Sequence, residues 1–406
     1  MSRLTLILGG IFIAGVVIAI AISIPLIIRH TSKETEQKAV IVKPMDTFIQ
    51  LLRSPDEQIG FPKGVSPRVL SFPKDHGPHL ENRLEWWYYT GNLETESGRH
   101  FGYQLTFFRM ALTPNPIQRE SKWATNQMYM AHFALTDVKN KRFYASERKS
   151  RGAVGLAGAV AQPFEVWVEN WSAIDGSQLP QIRPGIARAA GSSMHLSATE
   201  DGTAINLLLK EGKPVVLGGD NGRVIKSAEA SMTSYYYSLS RMPTNGTIRV
   251  AGVTFQVKGL SWLDREWGNG LLGKDQVGWS WFALQLSDER EMMFYLLRGR
   301  GGRTDPFSRG VFVRIDGSIR LLTLDDVQIE VLDYWESPFG SRYPSGWQIY
   351  IPSEKLTLGI EPYLANQELD LSMGRYWEGA VKVEGTSHGQ PISGNGYVEL
   401  TGFSRE

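Results

Sequence analysis

The chain contains no cysteine, which excludes disulfide bonds, zinc–cysteine sites, iron–sulfur clusters and a cysteine nucleophile. It also lacks an excess of charge, because 43 basic residues face 42 acidic ones and leave a net charge of +1. Without a basic surplus there is no overall field to attract nucleic acid, which is therefore not an expected partner. Phosphate-binding loops, dinucleotide fingerprints and the serine elbow of hydrolases are absent too, so no cofactor and no activated serine are expected.

Beyond residue 62 the sequence lacks a helical stretch long enough to cross over a parallel sheet, which excludes a doubly wound fold. Apolar side chains instead alternate with polar ones, as in residues 101–107, 253–257 and 311–315, and this period of two predicts strands with one buried face. The high aromatic content and the 42 dispersed glycines also favour β structure with tight turns. We therefore predict an all-β body, built either as two antiparallel barrels of about eight to ten strands or as two packed sandwiches.

The N-terminus carries the longest apolar run in the chain. Residues 4–28 contain no charged side chain, and a stretch of this length is enough to span a bilayer as a helix. A cleavable signal peptide would have a shorter apolar region followed by small residues, so residues 1–30 are interpreted as an uncleaved signal anchor. This interpretation makes the membrane a partner and places the body in the periplasm or at the cell exterior.

Residues 31–64 are predicted to form a tether with one short amphipathic helix, because Met45, Phe48, Ile49 and Leu52 recur at helical spacing. The body is divided into two domains, residues 65–243 and 244–406. The boundary is placed at residues 243–246, where a Pro-Thr-Asn-Gly sequence interrupts two strand-like runs.

The most informative segment for chemistry is Ser261-Trp-Leu-Asp-Arg-Glu-Trp-Gly268. In an extended strand Trp262, Asp264 and Glu266 lie on one face. Two carboxylates beside an indole repel each other in poor solvent, so one of them should have a raised pKa. A carboxylic acid kept protonated against an apolar cavity suits a general acid. The alternative is a buried ion pair in which an arginine neutralises the acids.

Other candidate residues lie on earlier strands. Glu85 precedes four aromatic residues that include Trp87, and it is either paired with an arginine, for which Arg109 is a candidate, or held partly protonated. His132 falls on an apolar face and is either a satisfied core residue or, if that face lines a cavity, a proton donor or acceptor.

The loop Asp75-His-Gly-Pro-His79 contains a His-x-x-His pair beside carboxylates. Such a pair is compatible with a divalent metal, but the spacing is unspecific, and imidazoles in a Pro/Gly loop also serve as structural hydrogen-bonding groups. We therefore expect no metal site here.

At these segments the sequence resembles the AttH-like family, which includes the carotenoid 1,2-hydratases of the hydroxyneurosporene synthase type. The matching segments run in the family's order from about residue 68 to the C-terminus. They are Phe72-Pro-Lys-Asp-His-Gly-Pro-His79, Glu85-Trp-Trp-Tyr-Tyr-Thr-Gly-Asn-Leu93, Tyr103-Gln-Leu-Thr-Phe-Phe-Arg109, Met130-Ala-His-Phe-Ala-Leu-Thr-Asp137, Tyr235-Tyr-Tyr-Ser238, Trp262-Leu-Asp-Arg-Glu-Trp-Gly268, Gln276-Val-Gly-Trp279, Tyr376-Trp-Glu-Gly379 and Gly396-Tyr-Val-Glu-Leu-Thr-Gly402. The resemblance implies two lipocalin-like β-barrel domains with a cavity for a hydrophobic ligand. In some members it also implies acid-catalysed addition of water to a terminal isoprenoid double bond.

The resemblance also implies roles for individual residues. The aspartate of the segment matching Trp262-Leu-Asp264 is the proposed proton donor of the hydratases, which carries that role to Asp264. Trp262 and Tyr237 would then stabilise a carbocation by cation–π attraction. Tyr235 stands where the hydratases have a histidine, a departure that argues against hydratase activity on carotenoids.

Two functions are compatible with the sequence. The preferred one is a membrane-anchored, lipocalin-like protein that binds a lipid or isoprenoid as a carrier or as an accessory of a transport system. The alternative is a hydratase-type hydro-lyase with Asp264, Glu266 and Tyr235 as catalytic residues. In both, Glu85, Trp87, His132, Tyr237 and Trp262 are the expected ligand-binding residues. Arginine neutralisation of both acids would weaken the enzyme hypothesis.

Overall fold

The computed structural model describes residue 52 and residues 60–115, 119–178, 192–229 and 232–403. No helix in these ranges has the length and apolarity needed to cross a bilayer. The predicted anchor over residues 1–30 lies outside the described residues. So does the predicted amphipathic helix, except for Leu52, which is helical and buried. The other helical elements in the described ranges are single 3₁₀ turns at Lys74–His76, Gly176–Gln178, Arg300–Gly302 and Pro352–Glu354.

The predicted all-β, antiparallel architecture is confirmed, with two large sheets. Sheet 1 consists of β1 (Leu84–Glu94), β2 (His100–Ala111), β3 (Gln127–Asp137), β4 (Arg142–Arg151), β5 (Ala157–Val160), β6 (Glu165–Val168), β7 (Trp171–Asp175), β8 (Ser193–Glu200), β9 (Thr203–Lys210), β10 (Val216–Leu217), β11 (Arg223–Ile225), β12 (Thr233–Val250) and β13 (Val253–Gly268). Sheet 2 consists of β14 (Gln276–Leu286), β15 (Glu291–Gly299), β16 (Arg309–Val313), β17 (Ile319–Thr323), β18 (Gln328–Glu336), β19 (Arg342–Ile351), β20 (Leu356–Pro362), β21 (Glu368–Leu371), β22 (Gly374–Ser387) and β23 (Gln390–Leu400).

The two sheets share one strand order. In each, the first strand pairs with the last, β1 with β13 and β14 with β23, and the two edge strands follow each other in the chain, β4 then β5 and β17 then β18. Strand β6 also lies against β2, β3 and β4, which are not its neighbours in the sheet, so sheet 1 curls into a nearly closed barrel. The shared order is not visible as a sequence repeat.

The alternation of side chains separates two apolar layers in sheet 1. On β1, Trp87 and Tyr89 point to the inner face and join a core that fills the interior of the sheet. Tyr88 points to the outer face and joins a second cluster, which includes Trp262 from sheet 1 and Trp281 from sheet 2. The outer faces of the two sheets therefore pack against each other, which explains why these strands are apolar on both sides.

Hydrogen bonds fix the packing of one sheet on the other. The Asn92 amide donates to the Gly396 carbonyl at 2.9 Å, and the Gln285 amide donates to the carbonyls of Ser240 and Ser261 at 2.7 and 3.0 Å. All of these groups are buried, where an unmade hydrogen bond costs about 1–3 kcal/mol. The relative position of the two outer faces is thus specified by polar contacts as well as by apolar burial.

The chain passes from sheet 1 to sheet 2 at residues 269–275, about 25 residues after the predicted boundary. Residues 243–246, interpreted as that boundary, lie inside β12. The sequence breaks there for another reason: the register of β12 shifts between Leu239 and Met242, and from Thr244 onward its neighbour is β9 in place of β10. Proline and glycine are typical of such irregularities within a strand.

Candidate active site

A cavity of about 60 Å³ lies between the outer faces of the two sheets, which is room for a few water molecules or for the slim end of an apolar chain. Its wall combines aromatic rings with carboxyl groups. Sheet 1 and the segments that flank it contribute Leu52, Trp86, Tyr88, Thr106, Phe108, Lys226, Tyr236, Asp264, Glu266 and Leu271, and sheet 2 contributes Trp279, Trp281, Tyr295, Leu297, Glu378 and Glu399. The cavity therefore lies between the two sheets and not inside the filled core of sheet 1.

Asp264 is one of the carboxyl groups of this wall, and it is only 2% exposed. Its Oδ1 accepts hydrogen bonds from Ser238 Oγ and Trp262 Nε1, both at 2.6 Å, and its Oδ2 accepts one from Tyr236 Oη. No cationic side chain of the described residues forms an ion pair with it. Burial raises the pKa of Asp264 to about 6, although the three donors oppose the shift and the charge of Glu266 adds to it. The predicted raised pKa at this segment is confirmed.

The tyrosine that holds Asp264 is Tyr236. Ser238 is the register partner of Asp264, so Tyr236 and Ser238 share its face, and Tyr235 and Tyr237 point the opposite way. Tyr235, expected as a catalytic residue, and Tyr237, expected to stabilise a carbocation, therefore point away from Asp264, and Tyr236 between them is its neighbour. The Tyr236 hydroxyl also accepts a hydrogen bond from Trp281 Nε1 of sheet 2 at 3.1 Å, so the two sheets meet at the aspartate.

Tyr235 and Tyr237 have structural partners on the inner side of the strand. The Tyr235 hydroxyl donates to the carbonyls of Ser66 and Arg68, and its ring stacks on Trp267. The Tyr237 hydroxyl bonds His76 Nδ1 at 2.6 Å. Neither residue lines the cavity.

Glu266, predicted as catalytic, lines the same cavity but is neutralised. Lys226 Nζ lies 2.6 Å from Glu266 Oε1, and Ser234 Oγ donates to the same oxygen at 2.5 Å. The Lys226 ammonium lies 5.0 Å from the centre of the Tyr295 ring and 5.7 Å from that of Tyr236. The two acids of the strand thus differ, because one forms a buried ion pair and the other does not.

Two carboxyl groups of sheet 2 were not among the predicted site residues. Tyr88 Oη donates to Glu378 Oε2 at 2.8 Å, while Glu378 Oε1 has no hydrogen-bond partner among the described residues. Burial raises the pKa of Glu378 well above its ordinary value, and the charge of Glu399 adds to the shift. Burial also raises the pKa of Glu399 to about 7, opposed by a hydrogen bond from Trp279. A sequence signal existed, since each glutamate interrupts an apolar strand.

Glu85 and Trp87, predicted to bind ligand, belong to the interior of sheet 1. Glu85 Oε2 lies 2.9 Å from Arg265 Nη2, and its Oε1 bonds Arg109 Nε, so the predicted pairing with Arg109 is confirmed. The backbone N–H of His79 also donates to this carboxylate. The two guanidinium groups hold the pKa of Glu85 well below its usual range, although burial opposes them. Glu85 is thus the centre of a buried ion-pair network, and Trp87 is a core residue.

The remaining predicted residues also have defined places. Trp262 lies beside Asp264, as expected. His132 faces sheet 2, where its Nδ1 lies 2.6 Å from Tyr376 Oη, and burial lowers its pKa to about 4, which keeps the imidazole neutral. His79 bridges Asp75 and Glu85 through its two ring nitrogens, at 3.0 and 3.4 Å.

Known proteins are similar to this chain in sequence and in fold. A model of the family described as AttH-like matches residues 63–403. An AttH protein from Nitrosomonas europaea has a similar solved structure, at 31% identity and a TM-score of 0.71, over 84% of this chain and 98% of its own. Kievitone hydratase from Nectria haematococca is similar at 16% identity and a TM-score of 0.62, over 83% of this chain and 94% of its own, which shows a shared fold alone. No curated protein matches the chain.

Proposed function

The chain belongs to the AttH-like family, and on that premise we propose that it is a hydratase-type enzyme, which adds water to a carbon–carbon double bond of an isoprenoid-like substrate bound between the two sheets. The similar strand order of the two sheets supports two lipocalin-like barrels that share this one site. The apolar run of residues 4–28 supports a membrane anchor, with the body in the periplasm or at the cell exterior.

The proposal depends on the environment of Asp264 and on its raised pKa. It is buried, it lines the cavity, it has no cationic partner among the described residues, and its pKa of about 6 keeps a fraction of it protonated near neutral pH. A general acid requires this combination of access to substrate and a pKa close to the working pH. Arginine neutralisation, which would have weakened the enzyme hypothesis, occurs at Glu85 instead.

The surrounding rings suit the intermediate of such a reaction. Proton transfer from Asp264 to the less substituted carbon of a trisubstituted alkene leaves a tertiary carbocation, to which water then adds. Trp262, Trp281 and Tyr88 lie around the aspartate, with ring centres 6.4 Å apart for the two tryptophans and 5.1 Å apart for Tyr88 and Trp281. Aromatic faces attract a desolvated cation by about 2 kcal/mol or more. The same wall provides an acid and a cation-stabilising surface.

A carrier function is the second candidate, favoured by the continuous apolar cluster along the outer faces of the sheets. It requires the same cavity but no proton transfer. The fold likeness to kievitone hydratase supports the enzyme, although at 16% identity the argument depends on the geometry of the cavity.

The test uses the full-length protein in detergent with geranylgeraniol as the probe, incubated in D₂O and followed by mass spectrometry. We expect the wild type to add D₂O to a trisubstituted double bond, and Asp264→Asn to bind the probe without converting it. Asp137→Asn is the matched control, because Asp137 is a buried aspartate paired with Arg99 outside the cavity. Probe that binds the wild type without conversion would favour the carrier, and full turnover by Asp264→Asn would refute the role of Asp264.

A further inference from the structure

Hydration of an alkene transfers two protons, and Asp264 accounts for only one of them. The acid delivers a proton to carbon, and the attacking water must then lose a proton to a base. Glu266 is unsuited to accept it, because it is held in an ion pair with Lys226. A second proton-transfer group should therefore lie across the cavity from Asp264.

Sheet 2 places two carboxyl groups there. Glu378 of β22 and Glu399 of β23 are direct register partners, so their side chains leave the same face of the sheet, and both line the cavity. Neither forms an ion pair with a described residue. The two side chains have different donors, since Tyr88 of sheet 1 donates to Glu378 and Trp279 of sheet 2 donates to Glu399.

The two carboxyls have different electrostatic surroundings. The groups that act on Glu399 are the carboxylates of Asp264 and Glu266, which raise its pKa, and the Lys226 ammonium, which lowers it. With a pKa of about 7, a large fraction of Glu399 is ionised at neutral pH, whereas burial and the charge of Glu399 raise the pKa of Glu378 well above its ordinary value. A negative charge on Glu399 disfavours ionisation of its neighbour Glu378, because like charges at close range repel.

The unsatisfied oxygen of Glu378 points to a ligand. Its side chain is fully buried and lines the cavity, and Oε2 is occupied by Tyr88, while Oε1 has no partner among the described residues. Buried polar atoms are almost always hydrogen-bonded, so an orphaned one at a cavity wall calls for a bound molecule. The hydroxyl of Tyr295, at the same wall, is likewise unsatisfied among the described residues.

We propose that Glu399 is the second proton-transfer residue of this site, which accepts a proton from the attacking water, and that Glu378 positions this water through Oε1. The assignment rests on the proposed hydration. Asp264 breaks its O–H bond and a new C–H bond forms, the water oxygen then bonds to the cationic carbon, and the oxonium proton passes to the Glu399 carboxylate. The product is a tertiary alcohol. Asp264 ends one proton poorer and Glu399 one proton richer, so a proton must return from Glu399 to Asp264 before the next turnover.

The experiment separates the two proton transfers. In D₂O, reversible protonation of the alkene by Asp264 alone exchanges deuterium into recovered geranylgeraniol, whereas alcohol formation also needs the base. Glu399→Gln should lower alcohol formation about 100-fold or more and retain deuterium exchange. Asp264→Asn should lose both. The matched control is Glu368→Gln, because Glu368 is a buried carboxyl of sheet 2 that bonds Ser337 and Tyr343 outside the cavity.

The role of Glu378 is tested with two variants, one that keeps a hydrogen-bonding group at this position and one that removes it. Glu378→Gln keeps an N–H donor for the water and should retain alcohol formation, while Glu378→Leu should lose about 10-fold. In the wild type, alcohol formation should fall as the pH drops below about 7, since Glu399 becomes protonated, while exchange should continue to rise towards pH 6.

The outcomes are distinct. Equal loss of exchange and alcohol formation in Glu399→Gln, or loss of neither, would overturn the assignment of Glu399. Equal activity of Glu378→Gln and Glu378→Leu would overturn the role of Glu378. Absence of both exchange and alcohol formation in the wild type would reject the proposed hydration itself, and the water-activating role with it.

Discussion

The stability of Asp264→Asn relative to the wild type should increase as the pH rises from acid to alkaline. The pKa of Asp264 rises from 3.8 for a free aspartate to about 6 in the folded protein. Because the folded state holds the proton more tightly, ionisation of Asp264 opposes folding. The stabilisation is fully present below pH 3.8 and is lost as the pH rises through 6. At 1.36 kcal/mol per pKa unit, the complete loss is about 3 kcal/mol.

An asparagine at position 264 stays neutral at every pH and avoids this loss. The free energy of unfolding of Asp264→Asn, relative to the wild type, should therefore increase by about 3 kcal/mol from strongly acid to alkaline pH, and about half of that increase falls between pH 5 and pH 8. For a folded body of about 340 residues, 3 kcal/mol corresponds to a shift of about 4 °C in Tm. The variant should thus be inactive, and its stability relative to the wild type should rise with pH, as expected when a desolvated carboxylate is removed.

The assay is urea unfolding followed by tryptophan fluorescence, at pH 5 and pH 8, for the wild type and the variant. Glu266→Gln is the contrasting variant, because it leaves Lys226 buried without its carboxylate and should destabilise the protein at both pH values. A stability difference between Asp264→Asn and the wild type that is the same at pH 5 and pH 8 would refute the argument. Asp264 would then be ionised without cost and unsuited to the role of proton donor.

Two further predictions concern neighbouring residues. Tyr236→Phe removes a hydrogen-bond donor that opposes the upward pKa shift, so the pKa of Asp264 should rise above about 6 and the pH limit of deuterium exchange should move upward. Tyr235→Phe should leave the pH profile of exchange unchanged. Equal profiles for the two variants would contradict the assignment of Tyr236. Glu85→Ala leaves two buried arginines without their carboxylate and should lower the free energy of unfolding, measured in urea, by about 3–5 kcal/mol. A loss below about 1 kcal/mol would show that the ion-pair network does not stabilise the fold.

The sequence predicted best those features that depend on one strand alone. Alternation alone placed Trp262, Asp264 and Glu266 on one face, and all three lie at the cavity wall or directly beside it. Alternation also predicted the all-β body. The sequence did not predict the contacts that depend on how two neighbouring strands are aligned. The tyrosine beside Asp264 depends on the register of β12 against β13, which a shift between Leu239 and Met242 alters. The proline and glycine of residues 243–246 mark an irregularity there, but they do not tell a register shift from a domain boundary.

Contacts between the sheets were harder still to predict. Glu378 and Glu399 each occur in a segment that was recognised as matching the family, yet the residues around them are buried or half-buried on both faces of their strands, so the sequence does not say which face meets sheet 1. A buried carboxyl in such a strand has two physical explanations, an ion pair or a cavity. Glu85 is an example of the first and Glu378 of the second, and only the distances tell them apart.

Because side chains alternate along β1 and β13, the residues that stabilise the fold and the residues that line the cavity lie on opposite faces of the same strands. Arg265 and Leu263 serve the interior of the barrel, while Asp264, between them, serves the cavity. Substitutions on one side can thus tune folding without reaching the reacting atoms. Deletion of one residue before position 263 would exchange the two sides at once, because a one-residue slip turns every following side chain to the other face. A change in the length of this strand should therefore disturb the barrel interior and the cavity together, whereas a substitution acts on one of the two.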